Sequence, residues 1–307
     1  MTLSIARLGS FHIGGKAVTV DGLETLTMQV TSDSPPITVE QNGQFEAFQM
    51  YVQYVKLANS SRRQPILFWH GGSLTGSTWE DTPDGRPGWQ TSFLSAGYDT
   101  YISDAVERGR SSWARSPQIY PSQPIFRSNR EAWRLFRIGP ELGEPFAGTQ
   151  FPYEAFENLA KSIVPRWTCN DQPTLDAYAA LLDRVGPSVI VAHSQGAAFA
   201  LEIASRKPQS VKAVIALEPT GVPHHPDERL RSVPHLFVWG DHVKEHFFWG
   251  APRIKSFEYH GNLRALGVES TFVDLPERNI HGNSHMLMSD RNTDRIVELI
   301  AEWLKTK

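Results

Sequence analysis

Short apolar runs with strand character alternate with segments of helix length through most of the chain. The run QPILFWHGG (residues 64–72) ends in glycines, and SVIVAHSQGAAFALEIA (residues 188–204) passes from a strand pattern into an alanine-rich helical pattern. The last segment, NTDRIVELIAEWLKTK (residues 292–307), has the apolar periodicity of an amphipathic helix. Strands separated by helices predict an α/β fold with a mostly parallel central sheet flanked by helices.

The N-terminal part has a different pattern, in which apolar and polar residues alternate. SFHIGGKAVTVDG (residues 10–22) contains two alternating runs around Gly14-Gly15, which predicts a β-hairpin turning at the glycines. FEAFQMYVQYVKLA (residues 45–58) predicts a longer strand of the same kind. We therefore expect N-terminal antiparallel strands attached to the parallel sheet.

Residues 112–170 interrupt the alternation of strands and helices. Proline, arginine and aromatic residues accumulate there, between two predicted core strands. We interpret this segment as an insertion that packs over one end of the sheet. The expected organisation is a core domain of residues 1–111 and 171–307, with a cap or lid over residues 112–170.

Composition and charge exclude several classes of protein. With 40% apolar residues, 21% charged residues and a formal net charge of −3, the chain has no general attraction for nucleic acid or an anionic membrane. Cys169 is the single cysteine, which rules out an intramolecular disulfide and a cysteine-rich metal site. The N-terminus lacks a signal-peptide pattern and no apolar run has membrane-spanning length, so we expect a cytoplasmic protein.

Ser194 lies between a buried strand pattern and an alanine-rich helix. A serine on a tight strand-to-helix turn needs small neighbours, and Ala192 and Gly196 lie two residues to either side. The helix starting at Gln195 would direct unpaired backbone N–H groups toward the serine, where they favour developing negative charge. Ser194 could also be only a helix N-cap, but the whole strand–turn–helix pattern favours a nucleophile.

A serine nucleophile needs a base within hydrogen-bond reach, and histidine titrates near neutral pH. The segment after the last predicted strand contains two candidates, His281 and His285. We favour His285, because it follows a Gly-Asn-Ser turn and precedes an apolar helical start. We expect His281 to be a loop residue and His193 to pack beneath the serine turn.

The base needs a carboxylate that fixes its tautomer and stabilises the imidazolium ion. Two acidic residues end strand patterns: Glu218 follows AVIAL, and Asp241 follows LFVWG. Either could serve on position alone. Asp241 could equally be a turn or capping carboxylate.

Taken together, the motifs AHSQG, HGG and GNSH resemble those of the α/β-hydrolase superfamily, and the resemblance extends from about residue 50 to the end of the chain. It implies the α/β-hydrolase fold. Most members place the triad acid three residues past the glycine of the LFVWG segment, where this chain has Val243. The stretches HGGSLTGSTWEDTPDGRPGW, GDHV and GNSHMLMSDRN resemble a smaller group of bacterial serine esterases, which use a glutamate after the preceding strand.

This resemblance implies Glu218 as the acid, with Asp241 as the second choice. It also assigns Gly72 as the second donor of an oxyanion hole whose first donor is the backbone N–H of Gln195. Members of the esterase group can be dimers, so a homodimer is possible for this chain too.

The implied function is a serine hydrolase that cleaves small carboxylic esters through an acyl-enzyme, with no cofactor and no metal. Aromatic residues of the insertion, among them Trp133, Phe136 and Trp167, are expected to shape an apolar substrate pocket. The same residues leave open lactone, thioester, amide or carbon–carbon bond hydrolysis. A non-catalytic, hydrolase-like ligand-binding protein is the alternative from another class.

Two further sequence patterns could indicate a metal site or a nucleic-acid surface. HVKEH (residues 242–246) matches a motif of zinc peptidases, and a zinc metallopeptidase is a remote alternative that lacks a visible third ligand. In RSNREAWRLFR, the arginines at 127, 130, 134 and 137 fall at helical spacing between aromatic residues. We interpret this stripe as the solvated face of a cap helix and not as a nucleic-acid surface.

Overall fold

The computed structural model describes residues 2–113, 118–244 and 246–307. Its strands are β1 (Ile5–Val20), β2 (Leu26–Gln29), β3 (Pro36–Val39), β4 (Gly43–Leu57), β5 (Ile66–Trp69), β6 (Thr100–Asp104), β7 (Ser188–His193), β8 (Val211–Leu217), β9 (His235–Trp239) and β10 (Ser270–Asp274). Its helices are α1 (Trp89–Ser95), α2 (Asn129–Leu135), α3 (Phe156–Ser162), α4 (Asp171–Val185), α5 (Gln195–Arg206), α6 (Gly250–Ala265) and α7 (Thr293–Lys305).

The described strands build an eight-stranded sheet in the order β1-β4-β6-β5-β7-β8-β9-β10, and β2 pairs with β3 as a separate two-stranded sheet. The strands from β6 to β10 in this order run parallel, while β4 lies antiparallel to both β1 and β6. The predicted fold class, a mostly parallel sheet with N-terminal antiparallel strands, is confirmed. In such a sheet, ligands bind beyond the carboxyl ends of the strands.

The sheet separates two hydrophobic clusters. Successive strand residues point to opposite faces, so Ile66 and Phe68 of β5 enter one cluster while Leu67 and Trp69 enter the other. The first cluster also receives side chains from α1 and α7, and the second from α4, α5 and α6. Burial on both faces explains why the central strands are continuous apolar runs.

The predicted hairpin at Gly14-Gly15 is wrong. Both glycines lie inside β1, which pairs antiparallel with β4 along its whole length. Their φ angles are positive, 69° and 81°, and so is that of Phe48 in β4, at 65°. Gly15 and Phe48 lie between the paired positions Gly14–Gln49 and Lys16–Ala47, so the two strands are locally irregular there. A side chain at Gly14 would also meet Ala177 of α4 at 2.8 Å, so the glycine permits the strand to lie close against that helix.

The segment 112–170 packs into the main core. Its helices α2 and α3 contribute Trp133 and Phe156, and the chain around them adds Phe151, all to the same cluster as α1 and α7. Residues 114–117 of this segment lie outside the described residues. The segment therefore shares its hydrophobic core with the sheet. That residues 112–170 form a separate cap stays a prediction.

Among the described residues, no helix combines the length and the apolar character needed to cross a membrane.

Candidate active site

Ser194 occupies the turn between β7 and α5 with φ 57° and ψ −116°, a backbone conformation that residues other than glycine rarely adopt. Two glycines make this turn possible. A methyl group at Gly196 would lie 2.5 Å from the carbonyl oxygen of His70, and one at Gly71 would lie 2.9 Å from Cβ of Ser194. The Ser194 side chain forms no N-cap hydrogen bond to α5, which argues against the capping interpretation.

His285 lies in the loop between β10 and α7, and its ring contacts the carboxylate that ends β8. Its Nδ1 is 2.5 Å from Oε2 of Glu218, and both side chains are buried, with 1% and 0% exposure. The backbone N–H of His285 donates to the carbonyl of Phe136 at 2.8 Å. The ring of His193, the neighbour of Ser194, lies 4.4 Å from that of His285, centroid to centroid.

Ser194 and His285 line one cavity of about 420 Å³. Its wall also includes Gly72 and Gln195, which the sequence analysis assigned to an oxyanion hole. With Phe136, the structure therefore brings five of the predicted residues to one cavity, and Glu218 contacts one of them, His285.

Arg137 holds the Glu218 carboxylate on its other side. Its Nη1 donates to Oε2 of Glu218 at 2.7 Å, and its Nη2 donates to Oε1. Its Nε donates to the carbonyl of Asp241 at 2.8 Å, and the backbone N–H of Gly240 donates to Oε1 of Glu218 at 2.7 Å. A planar, bidentate ion pair of this kind is stronger than a hydrogen bond between neutral groups and fixes the orientation of the carboxylate.

The prediction that Arg137 lies on a solvated helix face is wrong. Helix α2 ends at Leu135, and Arg137 has a φ of 54°, so the chain has left the helix and the side chain turns inward. Arg137 is fully buried, whereas Arg130 of the same stripe is exposed and pairs with Glu141. Helical spacing alone could not show where the helix stops.

The charge on Glu218 is set by these contacts. Burial acts to raise its pKa, but the positive charge of Arg137 and the hydrogen bond from His285 outweigh burial and lower the pKa to about 2. An ionised carboxylate is only an acceptor, so Nδ1 of His285 must carry the proton in this bond. The proton on Nδ1 leaves Nε2 of the neutral ring as the free acceptor.

His285 is held in its neutral form. Burial lowers its pKa, the hydrogen bond and charge of Glu218 raise it, and the charge of Arg137 lowers it again, giving a value of about 4. The indole ring of Trp249 lies 3.9 Å from the imidazole, centroid to centroid, and excludes water from that side. A neutral imidazole in a dry site can accept a proton at neutral pH.

The second candidate acid, Asp241, serves the loop around it. Its Oδ1 accepts from the N–H of His242 at 2.8 Å, and its Oδ2 accepts from the N–H of Gly282 at 2.9 Å. Nδ1 of the exposed His281 lies 3.7 Å from the same Oδ2. Of the two carboxylates left open by position, Glu218 is the one that contacts His285.

The loop after β5 lies against the serine turn. His70 accepts from the N–H of Ala105 through Nε2 at 2.9 Å, which fixes the start of the loop. A methyl group at Gly72 would lie 3.3 Å from Oε1 of Gln195, so Gly72 lies close to the side chain of the first residue of α5. Gly72 and Gln195 thus line the same cavity, and their role as oxyanion donors stays a prediction.

The three aromatic residues predicted to bind substrate are separated in the structure. Phe136 lines the cavity with Ser194. Trp133 packs edge-on against Phe156 at 5.0 Å in the core, and Trp167 packs against Tyr120 at 4.8 Å in a separate cluster. The high aromatic content of the segment reflects core packing as well as the cavity.

The sequence analysis missed several residues of the cavity wall: Phe247, Phe248, Trp249 and Arg166. The first three are consecutive aromatic residues just after the β9 segment that carries Asp241, and this position beyond a strand end was the available signal. No pattern in the sequence distinguishes Arg166 from other arginines.

A zinc site in HVKEH would require both histidines on one face of a helix, and the residues that the structure describes there form no helix. The described residues of this motif form turns and not a helix, so His242 and His246 do not share a helix face. His242 stacks on Phe146 at 4.2 Å, and His246 bonds the carbonyl of Arg134 at 3.0 Å. Glu245 lies outside the described residues. The part of the chain that the structure describes contains no group of three or more side chains suited to a metal ion.

This chain is similar to known proteins in sequence and in structure. The sequence profile of the family described as alpha/beta hydrolase fold matches residues 64–241. The probable secreted lipase phiG of a fungal species (strain ATCC 74256) is 27% identical over 332 residues, covering 86% of this chain and 87% of the relative. The atomic-resolution structure of a novel bacterial esterase is 33% identical with a TM-score of 0.87, covering 100% of this chain and 97% of that esterase.

The Arg137–Glu218 pair generates a prediction about stability. Arg137→Gln should lower the free energy of unfolding by about 3–5 kcal/mol, because it leaves a buried carboxylate without its counter-charge. Urea denaturation followed by tryptophan fluorescence measures the change. The matched control, Arg130→Gln, removes an exposed ion pair and should leave the midpoint unchanged.

A double variant, Arg137→Met with Glu218→Met, removes both charges and should recover much of the lost stability. If the double variant is no more stable than Arg137→Gln alone, the stabilisation by Arg137 comes from its packing contacts and not from its charge.

Proposed function

The chain belongs to the alpha/beta hydrolase fold family and is esterase- and lipase-like, and on this basis we propose that it is a serine hydrolase of small carboxylic esters. Ser194 Oγ attacks the ester carbonyl while Nε2 of His285 accepts the hydroxyl proton. His285 then protonates the leaving alcohol, which departs and leaves an acyl group on Ser194. Water attacks this acyl-enzyme with His285 as base, releasing the acid and restoring the serine.

The observation that carries the proposal is the contact between His285 Nδ1 and the buried Glu218, on a histidine that shares a cavity with Ser194. A fixed carboxylate holds the ring in the tautomer that leaves Nε2 as a base, and it stabilises the imidazolium formed during the reaction. The strained backbone of Ser194 supports the same role, since strain of this kind clusters at reactive residues.

The tetrahedral intermediate carries an oxyanion, for which we propose the backbone N–H groups of Gln195 and Gly72. Gln195 is the first residue of α5, so its N–H has no partner within the helix. The positive end of the helix macrodipole adds to the stabilisation. A single fixed donor in such a site contributes roughly 100- to 1,000-fold in rate.

We also propose that residues 112–170 form the cap over this site. The segment provides Phe136 to the cavity wall and Arg137 to Glu218. Because it shares the main core, this cap is a fixed part of the site.

Lactone, thioester, amide and carbon–carbon bond hydrolysis would use the same groups. The fungal relative named as a lipase and the bacterial esterase favour carboxylic esters. One of them is named as secreted, so the expected cytoplasmic location stays a prediction, as does the homodimer.

Covalent labelling tests the nucleophile. A fluorescent alkyl fluorophosphonate should label the wild-type protein at Ser194, and Ser194→Ala should lose both the label and ester turnover. Ser73 is the matched control, because it is a second serine lining the cavity and its buried hydroxyl has no hydrogen-bond partner among the described residues. The label should persist in Ser73→Ala; peptide mapping that placed it on Ser73 would refute the assignment.

Comparison of two carboxylate variants tests the acid. Glu218→Gln should lower kcat on the order of 10⁴-fold, because the amide cannot hold the reactive tautomer of His285. Asp241→Asn should change kcat far less, since its contacts hold the loop. Circular dichroism must show that both variants are folded, because Glu218→Gln also removes the partner of Arg137. A larger loss in Asp241→Asn would move the acid to that residue.

The pH profile tests the state of His285. The free enzyme needs a neutral imidazole, and the pKa of His285 is lowered to about 4. As the pH is lowered from 7, kcat/KM should therefore stay constant past pH 6 and fall only with a midpoint of about 4. An unperturbed histidine would give a midpoint of about 6.5. A wild-type midpoint near 6.5, with the fold intact, would contradict this assignment.

A further inference from the structure

Arg166 lines the cavity beside the proposed oxyanion hole. It follows α3 and precedes α4, and its side chain shares the cavity wall with Ser194 and Gln195. A methyl group at Gly72 would lie 3.0 Å from Nη1 of Arg166. The guanidinium group is therefore close to the position that a bound ester would occupy.

The guanidinium of Arg166 lacks an acidic partner among the described residues. Within the described ranges, no acidic side chain forms an ion pair with Arg166, and its buried Nε has no hydrogen-bond partner. Its two arginine neighbours do have acidic partners. Arg127, in the same cavity wall, pairs with Glu131, and Arg108 pairs with Glu107.

The surroundings of Arg166 favour an anion. Burial and the positive charges of Arg108 and Arg127 lower its pKa, while Asp171 and Glu107 act weakly in the other direction. A partly buried cation next to other cations is destabilised until a negative group reaches it. A planar guanidinium binds a carboxylate through two parallel hydrogen bonds.

We propose that Arg166 binds a carboxylate group of the substrate, which makes the protein selective for esters that carry a negative charge close to the scissile bond. This inference rests on the proposed ester hydrolysis and narrows its substrate class. The carboxylate can belong to the acyl part or to the alcohol part of the ester.

A purely structural role for the side chain has less support. The backbone of Arg166 is already fixed by its pairing with Ile125, with N–H···O distances of 2.8 and 3.0 Å in the two directions. The side chain adds no hydrogen bond to this bridge. We therefore expect Arg166→Gln to fold normally.

Matched esters test the proposal by kinetics. The acyl arm compares the 4-nitrophenyl monoester of glutaric acid with its methyl-capped, neutral form. The alcohol arm compares 4-acetoxybenzoate with its methyl ester. Arg166→Gln should lower kcat/KM for the anionic member of one pair by about 10- to 100-fold, the range expected for hydrogen bonds to a charged group. The neutral member should change by less than about threefold.

Arg127→Gln is the control, because it removes one positive charge from the same cavity wall but one that is already paired. It should affect the anionic esters far less than Arg166→Gln. Equal losses for anionic and neutral esters in Arg166→Gln would indicate that the arginine stabilises the oxyanion itself, and this would overturn the proposal. No loss in either arm would also overturn it.

A binding measurement separates this inference from the proposed function. Calorimetric titration of Ser194→Ala with monoethyl glutarate and diethyl glutarate needs no turnover. The monoanion should bind more tightly than the diester, and adding Arg166→Gln should abolish that difference. If the wild type cleaves no ester but this difference is found, the proposed function fails and the carboxylate site stands. Equal binding of both ligands would overturn the site.

Discussion

The buried ion pair between Arg137 and Glu218 is the constraint on which the rest of the site depends. A carboxylate with no exposure would ordinarily take up a proton, and a neutral acid could not fix the histidine as Glu218 does. Arg137 supplies the counter-charge that keeps it ionised, and the N–H of Gly240 occupies a further lone pair. The state of His285 and its orientation toward the cavity both follow from this pair.

The same pair joins two parts of the chain that are distant in sequence. Arg137 comes from the inserted segment and Glu218 from the end of β8, and the carbonyl of Phe136 also accepts from the backbone of His285. The inserted segment thus contacts both Glu218 and His285 directly. This arrangement explains why its aromatic residues are divided between the core and the cavity wall.

The sequence predicts those parts of the site that depend on local pattern. The apolar run before Ser194 and the glycines around it lead to the strand, the turn and the helix, and the position of His285 follows from the order of strands. The role of Arg137 could not be predicted, because helical periodicity does not show that α2 ends at Leu135. The glycine pair at 14 and 15 suits either a hairpin turn or an irregular strand, and only the pairing with β4 decides between them.

Three residues of the site, Arg137, Ser194 and Glu218, have φ angles of 54°, 57° and 47°, in the left-handed region. Idealised scaffolds avoid this region for residues other than glycine. Transplanting the site into a designed protein would therefore require the bent main chain around each residue as well as the side chains. A design that copied only the side chains would place the correct functional groups in the wrong orientations.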